Sequence, residues 1–421
     1  MQIWVVEATE PLPAINPAAR PLRCGMLIDA VLGAGHGVTW WSSTFDHASK
    51  RHHASGSTRL HPRAGLRLNL LAGPGYPANL SLQRVRHSRA LARGFAVEAL
   101  AEPEAPDLVF TCWPLPELAE QAVRYASARN IPVVVDARDQ WPDIYTAAVP
   151  APLRGAARLA LSGEVRRAER TFGAATGITA VSHSYLRWAL AYARRSRRPG
   201  DEVFPIGYPD SQVPPAAERA ALRQRLRLPD GGVVATFCGV FGSTYDLGTL
   251  VDAARQLHDS APALTIVLAG DGEQADALRK TSAACSNVRF TGWLDAAGVA
   301  GLLAISDIGV CAYAPGAPQS LPNKPFEYMQ AGLAMVNSLP GELEALVRNE
   351  GIGISYRAGS AEDLVNALRC LALDDRKRRE MGERARRLFV TRFRAPTVYG
   401  AFVTYLETCA ARPATAGAPA Q

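Results

Sequence analysis

Short apolar runs rich in valine and isoleucine alternate with longer amphipathic segments along most of this chain. In the first half these runs read "IWVVE", "GVTWWSST", "LRLNLLAG", "DLVFTC", "PVVVDA", "GITAVS" and "EVFPIG". Runs of this length suit strands, and the segments between most of them are long enough for a helix. The alternation therefore predicts an α/β fold in which βαβ units build a parallel sheet.

The same alternation starts again after a proline-rich segment, "YPDSQVPPAAE" at 208–218. The later runs read "VVATFC", "LTIVLAG", "NVRFTG", "DIGVCAY", "AMVNSL" and "GIGISY". We therefore predict two doubly wound domains within the 421 residues. The expected segments are a first domain over 1–208, a linker over 209–217, a second domain over 218–393, a helix over 394–410 after a proline break, and a disordered tail over 411–421.

Two such domains are expected to face each other across a cleft. Open α/β sheets bind ligands beyond the carboxyl ends of their strands, so function is sought in the loops that follow strands.

Charge divides unevenly between the two halves. Residues 1–200 carry 24 lysines and arginines against 15 acidic residues, whereas residues 201–421 carry 22 against 24. The basic half favours an acidic partner such as phospholipid, diphosphate or nucleic acid, although arginines on solvated helix faces explain the excess equally well. No matching recognition motif supports nucleic acid.

The cysteines and the first residues of the chain indicate in which cellular compartment the protein is expected to work. The seven cysteines are scattered, without the CxxC spacing of a zinc or redox site. The chain begins with a strand-like run rather than a basic leader, and no apolar run approaches the length of a membrane span. We predict a cytoplasmic protein that docks peripherally on the cytoplasmic face of the inner membrane.

The first loop of the predicted second domain reads "CGVFGSTYDLG". Gly239 and Gly242 would let the backbone approach a ligand, and Ser243 and Thr244 precede the next helix. Hydroxyls and free N–H groups at such a point favour an anion such as a diphosphate. The alternative is a tight turn in which Ser243 or Thr244 only caps the helix.

A second glycine loop follows the next strand and reads "AGDGEQ", with Gly270 at its start. Asp271 and Glu273 suggest a metal pair, but a turn that caps the following helix explains them better. The chain contains no Asp-x-Asp sequence, so no bound metal and no cofactor are expected.

The segment "PNKPFEYMQAG" follows a strand of the second domain and has helix signals at both ends. Asn323 is a candidate N-cap, Pro325 suits the first turn, and Gly332 suits the C-cap. Lys324 would add its charge to the N–H groups of the helix start, which suits a phosphate, and Glu327 could accept two ribose hydroxyls. Alternatively, Lys324 is a surface lysine and Glu327 only complements the helix dipole.

In the first domain, "VVVDARDQWPDIY" places Arg138, Asp139 and Trp141 after a strand. An aromatic ring stacks on sugar faces, carboxylates bind hydroxyls, and Asp139 could act as a general base. An arginine–aspartate ion pair that holds the loop is the competing explanation.

Three further segments of the first half carry ionisable residues. Arg20 and Arg23 lie near a helix start expected to face the cleft. The basic amphipathic stretch 79–95 could lie on an anionic membrane surface, or it is a solvated helix face. The segment 45–61 is rich in histidine, lacks the spacing of a metal site, and is predicted to be a flexible polar loop.

Taken together, these loops resemble the large retaining glycosyltransferase family with the GT-B fold, which includes bacterial mannosyl- and glucosyltransferases and sucrose synthases. The resemblance runs over nearly the whole chain, and "RDQWP" and "PNKPFEYMQAG" look most like the subgroup that builds O-antigen, capsule and exopolysaccharide, including N-acetyl-L-fucosamine transferases. It implies two Rossmann-like domains, with C-terminal helices that pack back toward the first one.

The resemblance also implies a nucleotide-sugar donor, expected to carry UDP, and a lipid-linked or saccharide acceptor bound by the first domain. The implied donor-binding residues are Gly239, Gly242, Ser243, Thr244, Gly270, Gln319, Asn323, Lys324 and Glu327. The implied catalytic residues are Lys324, Asp139 and Arg138. The implied acceptor-binding residues are Arg20, Arg23 and Trp141.

Two departures from the family pattern stand out. Glu327 matches the second glutamate of the family's Glu-x7-Glu motif, which usually holds the ribose, but the first glutamate is replaced by Gln319. The loop after the first strand of the second domain also lacks the arginine and lysine of many members, which gives Lys324 more weight. A GT-B-shaped binding or scaffold protein without catalysis therefore stays an alternative, as does a nucleotide-sugar epimerase.

Overall fold

The computed structural model describes residues 1–17, 19–78, 81–147 and 149–411. The predicted disordered tail over 411–421 lies, apart from its first residue, outside the described residues. The chain forms two compact units, one of Met1–Gly207 with Ala395–Gln421 and the other of Tyr208–Arg394.

The elements follow one another in βα order over both units, as the alternation of apolar runs predicts. The strands are β1 (Gln2–Val6), β2 (Gly37–Ser43), β3 (Phe45–Asp46), β4 (Arg51–His52), β5 (Thr58–Arg63), β6 (Leu66–Leu71), β7 (Leu108–Trp113), β8 (Val133–Ala137), β9 (Gly177–Ala180), β10 (Glu202–Val203), β11 (Val233–Cys238), β12 (Leu264–Ala269), β13 (Val288–Gly292), β14 (Ile308–Cys311), β15 (Ala334–Asn337) and β16 (Gly353–Ser355). The α-helices are α1 (Arg23–Gly33), α2 (Leu82–Glu98), α3 (Pro116–Ala128), α4 (Asp143–Ala147), α5 (Arg154–Ala160), α6 (Ser162–Gly173), α7 (His183–Tyr192), α8 (Ala216–Arg225), α9 (Leu247–Ser260), α10 (Ala275–Thr281), α11 (Ala296–Ala304), α12 (Lys324–Ala331), α13 (Glu342–Asn349), α14 (Ala361–Leu373), α15 (Asp375–Leu388) and α16 (Ala395–Ala410).

The first unit is built on an eight-stranded sheet in the order β10-β9-β8-β7-β1-β2-β6-β5. All neighbours pair in parallel except β5, which is antiparallel to β6 at the edge. The seven apolar runs of the first half all lie in this sheet. Apolar side chains cover both of its faces in two buried clusters, one of which contains Trp4 and Phe95 and the other Leu27 and Phe110.

The prediction of a flexible loop over 45–61 is wrong for part of that segment. Strands β3 and β4 pair as an antiparallel hairpin, and β5 forms the edge of the main sheet. Strands β4 and β5 are mostly exposed and β3 has only two residues, so none of them shows the apolar run that marks a buried strand. Proline is tolerated at Pro62 because an edge strand can leave a backbone position unpaired.

The second unit is built on a six-stranded parallel sheet in the order β13-β12-β11-β14-β15-β16. The first strand of this unit, β11, lies in the middle, and the chain turns back past it to add β14 on its other side. This is the strand order of a dinucleotide-binding fold, in which ligands bind where the order reverses. The order reverses between β11 and β14, so the loops that follow these two strands begin where a ligand is expected to bind.

Helix α16 returns to the first unit, as the fold class predicted. The helix begins after an extended break at Arg394. Phe402 stacks on Phe204 with ring centroids 4.1 Å apart and meets Phe110 edge-on at 5.6 Å. The last helix is thus part of the apolar core on one face of the first sheet.

Candidate active site

Lys324 is the first residue of α12 and follows the loop after β14. Its side chain is largely buried, and its Nζ donates a hydrogen bond of 2.9 Å to the hydroxyl of Tyr245. The same nitrogen lies 4.2 Å from the ring centroid of Tyr245 and 4.8 Å from that of Phe237. Aromatic faces attract a cation, so these rings hold the ammonium at the carboxyl end of β11. The surface-lysine alternative is therefore wrong.

The two glycine loops are shaped by close backbone approaches. A Cβ on Gly270 would lie 1.9 Å from the carbonyl oxygen of Gly239, and one on Gly239 would lie 2.4 Å from Nζ of Lys324. Both glycines also have positive φ, +141° and +147° respectively, which other residues rarely adopt. These glycines allow the loop after β11, the loop after β12 and Lys324 to meet.

Ser243 and Thr244 lie in a turn and not at a helix start. Helix α9 begins at Leu247, and the carboxylate of Asp246 caps it by accepting from the Thr249 N–H at 3.3 Å. The alternative that Ser243 or Thr244 caps the helix is therefore wrong.

The turn leaves backbone donors unused. Within the described parts of the chain, the N–H groups of Gly242, Ser243 and Thr244 make no backbone hydrogen bond. The side chain of Gln274 fixes this turn by donating to the carbonyl oxygens of Gly242 at 2.7 Å and Tyr245 at 3.3 Å. Three successive backbone N–H groups without a backbone partner are donors that suit an anion.

The ends of α12 only partly match the sequence signals. Gly332 ends the helix in the left-handed conformation, with φ of 71°, as predicted for a C-cap. Asn323 occupies the N-cap position, but its side chain makes no capping hydrogen bond, which corrects the prediction. One turn further, Glu327 accepts a hydrogen bond from the hydroxyl of Tyr208. Glu327 as a whole is half-buried.

Gln319 lies in the loop between β14 and α12, ahead of Lys324. Its Oε1 atom is buried and has no hydrogen-bond partner within the described residues. The next residue, Ser320, donates to Glu342 at 3.1 Å and so ties the loop to the start of α13. The amide oxygen of Gln319 is thus an acceptor that none of the described residues satisfies.

In the first unit, Arg138 has an internal partner that sequence reasoning missed. Its Nη1 lies 2.6 Å from Oε1 of Glu10, and it also contacts the sulfur atoms of Cys24 and Cys112 at 3.3 and 3.5 Å. The competing hypothesis of an ion pair within the loop is also wrong, because the partner is Glu10. The catalytic role proposed for Arg138 gains no support from this geometry.

Arg23 is buried, and each of its three guanidinium nitrogens donates to another group of the protein. Its guanidinium donates to both carboxylate oxygens of Asp136, at 2.8 and 3.0 Å, and to the carbonyl oxygen of Pro205 at 3.1 Å. The carboxylate of Glu10 accepts from the Cys24 and Gly25 N–H groups at the start of α1. The start of α1 therefore already binds the carboxylate of Glu10. Because the guanidinium of Arg23 is paired with Asp136 inside the protein, its position argues against the predicted contact with an acceptor.

Asp139 and Trp141 lie on the loop after β8. Burial raises the pKa of the Asp139 carboxyl, while the Gln140 N–H and the charge of Arg84 partly oppose this rise. A raised pKa suits a general base, so the role predicted for Asp139 remains consistent with its surroundings. Trp141 is half-buried and packs edge-on against Tyr145, with ring centroids 4.5 Å apart. Arg20 is exposed on the loop before α1.

The described residues contain neither a cluster of metal-ligand side chains nor a membrane-spanning helix. No group of three or more histidine, cysteine or acidic side chains could hold a metal ion there. In the same part of the chain, no helix combines the length and the apolar character needed to cross a membrane.

Comparisons with known proteins agree with this architecture. Residues 218–388 match the family model of the glycosyl transferases group 1. HepE of Anabaena, solved in complex with UDP, aligns at a TM-score of 0.68 and 17% identity, covering 97% of this chain and 100% of that one. Sucrose-phosphate synthase of Thermosynechococcus elongatus aligns at 0.71 and 18%, covering 97% and 99%. WaaG, a glycosyltransferase involved in lipopolysaccharide biosynthesis, aligns at 0.63 and 15%, covering 95% and 98%.

No curated protein sequence matches the chain significantly. Identities this low show a shared fold, which is the GT-B fold of two Rossmann-like domains with parallel sheets. The family match over the second unit supports a glycosyltransferase.

Proposed function

We propose that this protein is a retaining, metal-independent glycosyltransferase that moves a sugar from a UDP-linked donor to a lipid-linked saccharide. The observation that carries this proposal is the ammonium group of Lys324, held at the first residue of α12 beside the glycine loop after β11. A fixed positive charge at the switch point of a nucleotide-binding sheet suits a diphosphate.

The donor diphosphate would lie between Lys324 and the turn 242–244. The ammonium adds a full charge to the positive end of α12, and the free N–H groups of the turn supply oriented dipoles. The loop after β11 lacks the arginine and lysine that many members of the resembled family carry there. In this proposal the buried ammonium of Lys324 and the three N–H groups of the turn 242–244 take their place.

The ribose of the donor would bind Glu327. A carboxylate can accept two vicinal hydroxyls, and the Tyr208 hydroxyl orients this one from the side. The structure of HepE with UDP supports UDP as the nucleotide.

In this mechanism the leaving diphosphate carries the developing negative charge as the sugar becomes oxocarbenium-like. Lys324 stabilises that charge directly, which lowers the barrier without a metal ion or cofactor. Attack from the same face retains the anomeric configuration. The acceptor proton passes to the diphosphate or to Asp139, whose raised pKa brings it closer to neutral pH.

The acceptor would bind the first unit and belong to surface polysaccharide such as O-antigen or capsule. The basic first half of the chain supports an acidic, lipid-linked acceptor reached from the cytoplasmic face of a membrane. Trp141 offers a half-buried aromatic face for a sugar ring. Arg20 is exposed on the loop that precedes α1.

A second candidate function is nucleotide-sugar binding without catalysis. The specific observation in its favour is Gln319, which stands where the resembled family has a charged glutamate and whose Oε1 has no hydrogen-bond partner among the described residues. An amide can orient sugar hydroxyls but supplies no charge.

A donor panel separates the two candidates. The purified full chain is incubated with nucleotide sugars of each base, with and without a lipid-linked saccharide, in buffer containing a metal chelator. We expect one UDP-sugar to give a product with unchanged anomeric configuration by NMR. Nucleotide binding without turnover over the whole panel would establish the second candidate. Reaction of the donor without any acceptor would point instead to an epimerase.

A further inference from the structure

The turn after β11 ends in a tyrosine, Tyr245, that is absent from the site residues predicted from the sequence. Its backbone N–H donates to the carbonyl oxygen of Gly242 at 3.0 Å and so closes the turn. Tyr245 also pairs with Tyr313 in an isolated antiparallel bridge, which ties this turn to the segment that follows β14. Tyr245 therefore joins the two loops that begin where the strand order of the second sheet reverses.

Aromatic packing fixes the ring of Tyr245. Its centroid lies 5.0 Å from that of Phe237 and 5.2 Å from that of Tyr313. Tyr245 as a whole is half-buried, whereas Tyr313 is fully buried. A side chain that is held by two neighbouring rings and by its own backbone pairing is preorganised, and preorganised polar groups stabilise a developing charge most effectively.

The orientation of the Tyr245 hydroxyl is set by Lys324. An ammonium group only donates, so the tyrosine oxygen is the acceptor in their hydrogen bond of 2.9 Å. The hydrogen of the same hydroxyl must then point away from Nζ. Because hydrogen bonds in a chain polarise one another, a hydroxyl that accepts from a cation becomes a stronger donor to a further group.

The neighbouring hydroxyl of Tyr313 keeps its own proton. Burial, and then Cys311 and Tyr245, raises the pKa of Tyr313. This hydroxyl is also enclosed by protein and has no hydrogen-bond partner within the described residues. Of the two tyrosines, only the half-buried Tyr245 is placed to contact a ligand beside Lys324.

We propose that the hydroxyl of Tyr245 donates a hydrogen bond to the leaving diphosphate, as a second and neutral donor beside the ammonium of Lys324. Tyr245 takes only one of the three N–H donors of Lys324, so the ammonium keeps donors for the phosphate oxygens. Both contacts strengthen as the leaving group gains negative charge, and Tyr245 keeps its proton throughout. This role rests on the proposed function, because it requires the donor diphosphate at Lys324.

The test removes the hydroxyl of Tyr245 and keeps its ring. Calorimetry measures the binding of UDP, which is the leaving group itself, and of uridine, which lacks the diphosphate. Both probes are measured on the full chain as wild type and as Tyr245→Phe. Tyr313→Phe is the matched control, because it removes the neighbouring hydroxyl that has no partner within the described residues.

We expect Tyr245→Phe to weaken UDP binding by about tenfold, because a hydrogen bond to a charged group is lost. Uridine should bind Tyr245→Phe as it binds the wild type. Tyr313→Phe should bind UDP as the wild type does. Since both variants keep their aromatic rings, their melting temperatures should stay close to that of the wild type.

A double-mutant comparison separates direct donation from an effect that passes through Lys324. The ammonium is absent in Lys324→Met, so a tyrosine that only positions the ammonium would have no effect in that variant. We expect Tyr245→Phe to weaken UDP binding by about threefold or more in the Lys324→Met background as well.

Unchanged UDP affinity in Tyr245→Phe would overturn the proposal, as would a loss that disappears in the Lys324→Met background. Equal weakening of UDP by Tyr313→Phe, or of uridine by Tyr245→Phe, would also overturn it, since packing rather than the hydroxyl would then be responsible. Failure of the wild type to bind UDP would instead refute the proposed donor site, and with it this role of Tyr245.

Discussion

At the scale of single residues, the second unit places one charged side chain where the proposed donor site requires a positive charge. Lys324 gains its position from two rings, those of Tyr245 and Phe237, and from the absence of a side chain at Gly239. None of these partners is adjacent to it in sequence. Its role therefore depends on packing as much as on its own chemistry.

Replacing Lys324 with alanine should lower turnover by about 100-fold or more, because the developing charge on the leaving group loses its fixed counter-charge. Steady-state kinetics at saturating donor measure this effect. Ser243→Ala is the matched control and should change turnover little, since this exposed hydroxyl caps no helix. Equal turnover of Lys324→Ala and the wild type would remove Lys324 from the mechanism.

Replacing Glu327 with alanine should weaken UDP binding by about tenfold or more, because a charged hydrogen bond to the ribose is lost. Tyr208→Phe removes only the hydroxyl that donates to Glu327, so it should weaken UDP less. Calorimetry with free UDP and with uracil compares the two variants. A ribose role predicts that uracil binding stays unchanged, and no loss of UDP affinity in Glu327→Ala would contradict it.

At the scale of elements, the glycine loops after β11 and β12 hold the site together. Gly270 donates its N–H to Gly292 and lies against the carbonyl of Gly239, so three strand ends are joined at one edge of the sheet. Sequence reasoning identified these loops because glycines after buried strands are visible in the chain. It could not identify Gln274, which is separated from the turn it fixes by a strand and a helix.

Replacing Gly270 with alanine should lower stability by more than about 3 kcal/mol, because the new Cβ would collide with backbone and the positive φ would be strained. Gly248→Ala is the control within α9, where nothing lies within 4 Å of the added Cβ. It should stabilise the helix by about 0.5 to 1 kcal/mol. Thermal unfolding compares the two, and similar melting temperatures would refute the packing argument.

The elements that sequence reasoning missed share one physical property. Strands β4 and β5 are mostly exposed and β3 has only two residues, so none of these strands carries a buried apolar run. Conversely, every apolar run identified in the first half became part of the sheet, because strands covered on both faces are rich in apolar residues.

At the scale of the whole molecule, the last helix belongs to the first unit although it follows the second in sequence. Phe402 of α16 packs against Phe204 and Phe110 of the first unit. The first unit is therefore completed only when the C-terminal segment is present.

Replacing Phe402 with alanine should destabilise the first unit by about 3 to 5 kcal/mol, because a buried ring leaves a cavity. Hydrogen exchange should then show lost protection in β1 and β7 but unchanged protection in β11 and β12. Leu100→Ala is the control in the same unit, since Leu100 is 62% exposed. Equal loss of protection in both units would contradict the separation of their cores.

The sequence by itself determined the α/β class, most buried strands, the glycine loops and the candidate residues Lys324 and Glu327. These features are local, because strand burial, turn geometry and helix ends leave their pattern within a few residues of chain. Only the tertiary structure decided that β11 lies beside β14, that Tyr245 and Tyr208 hold Lys324 and Glu327, and that Arg23 and Arg138 have internal partners. Those facts join residues far apart in the chain, and a buried charge finds its partner only when the fold brings the two together.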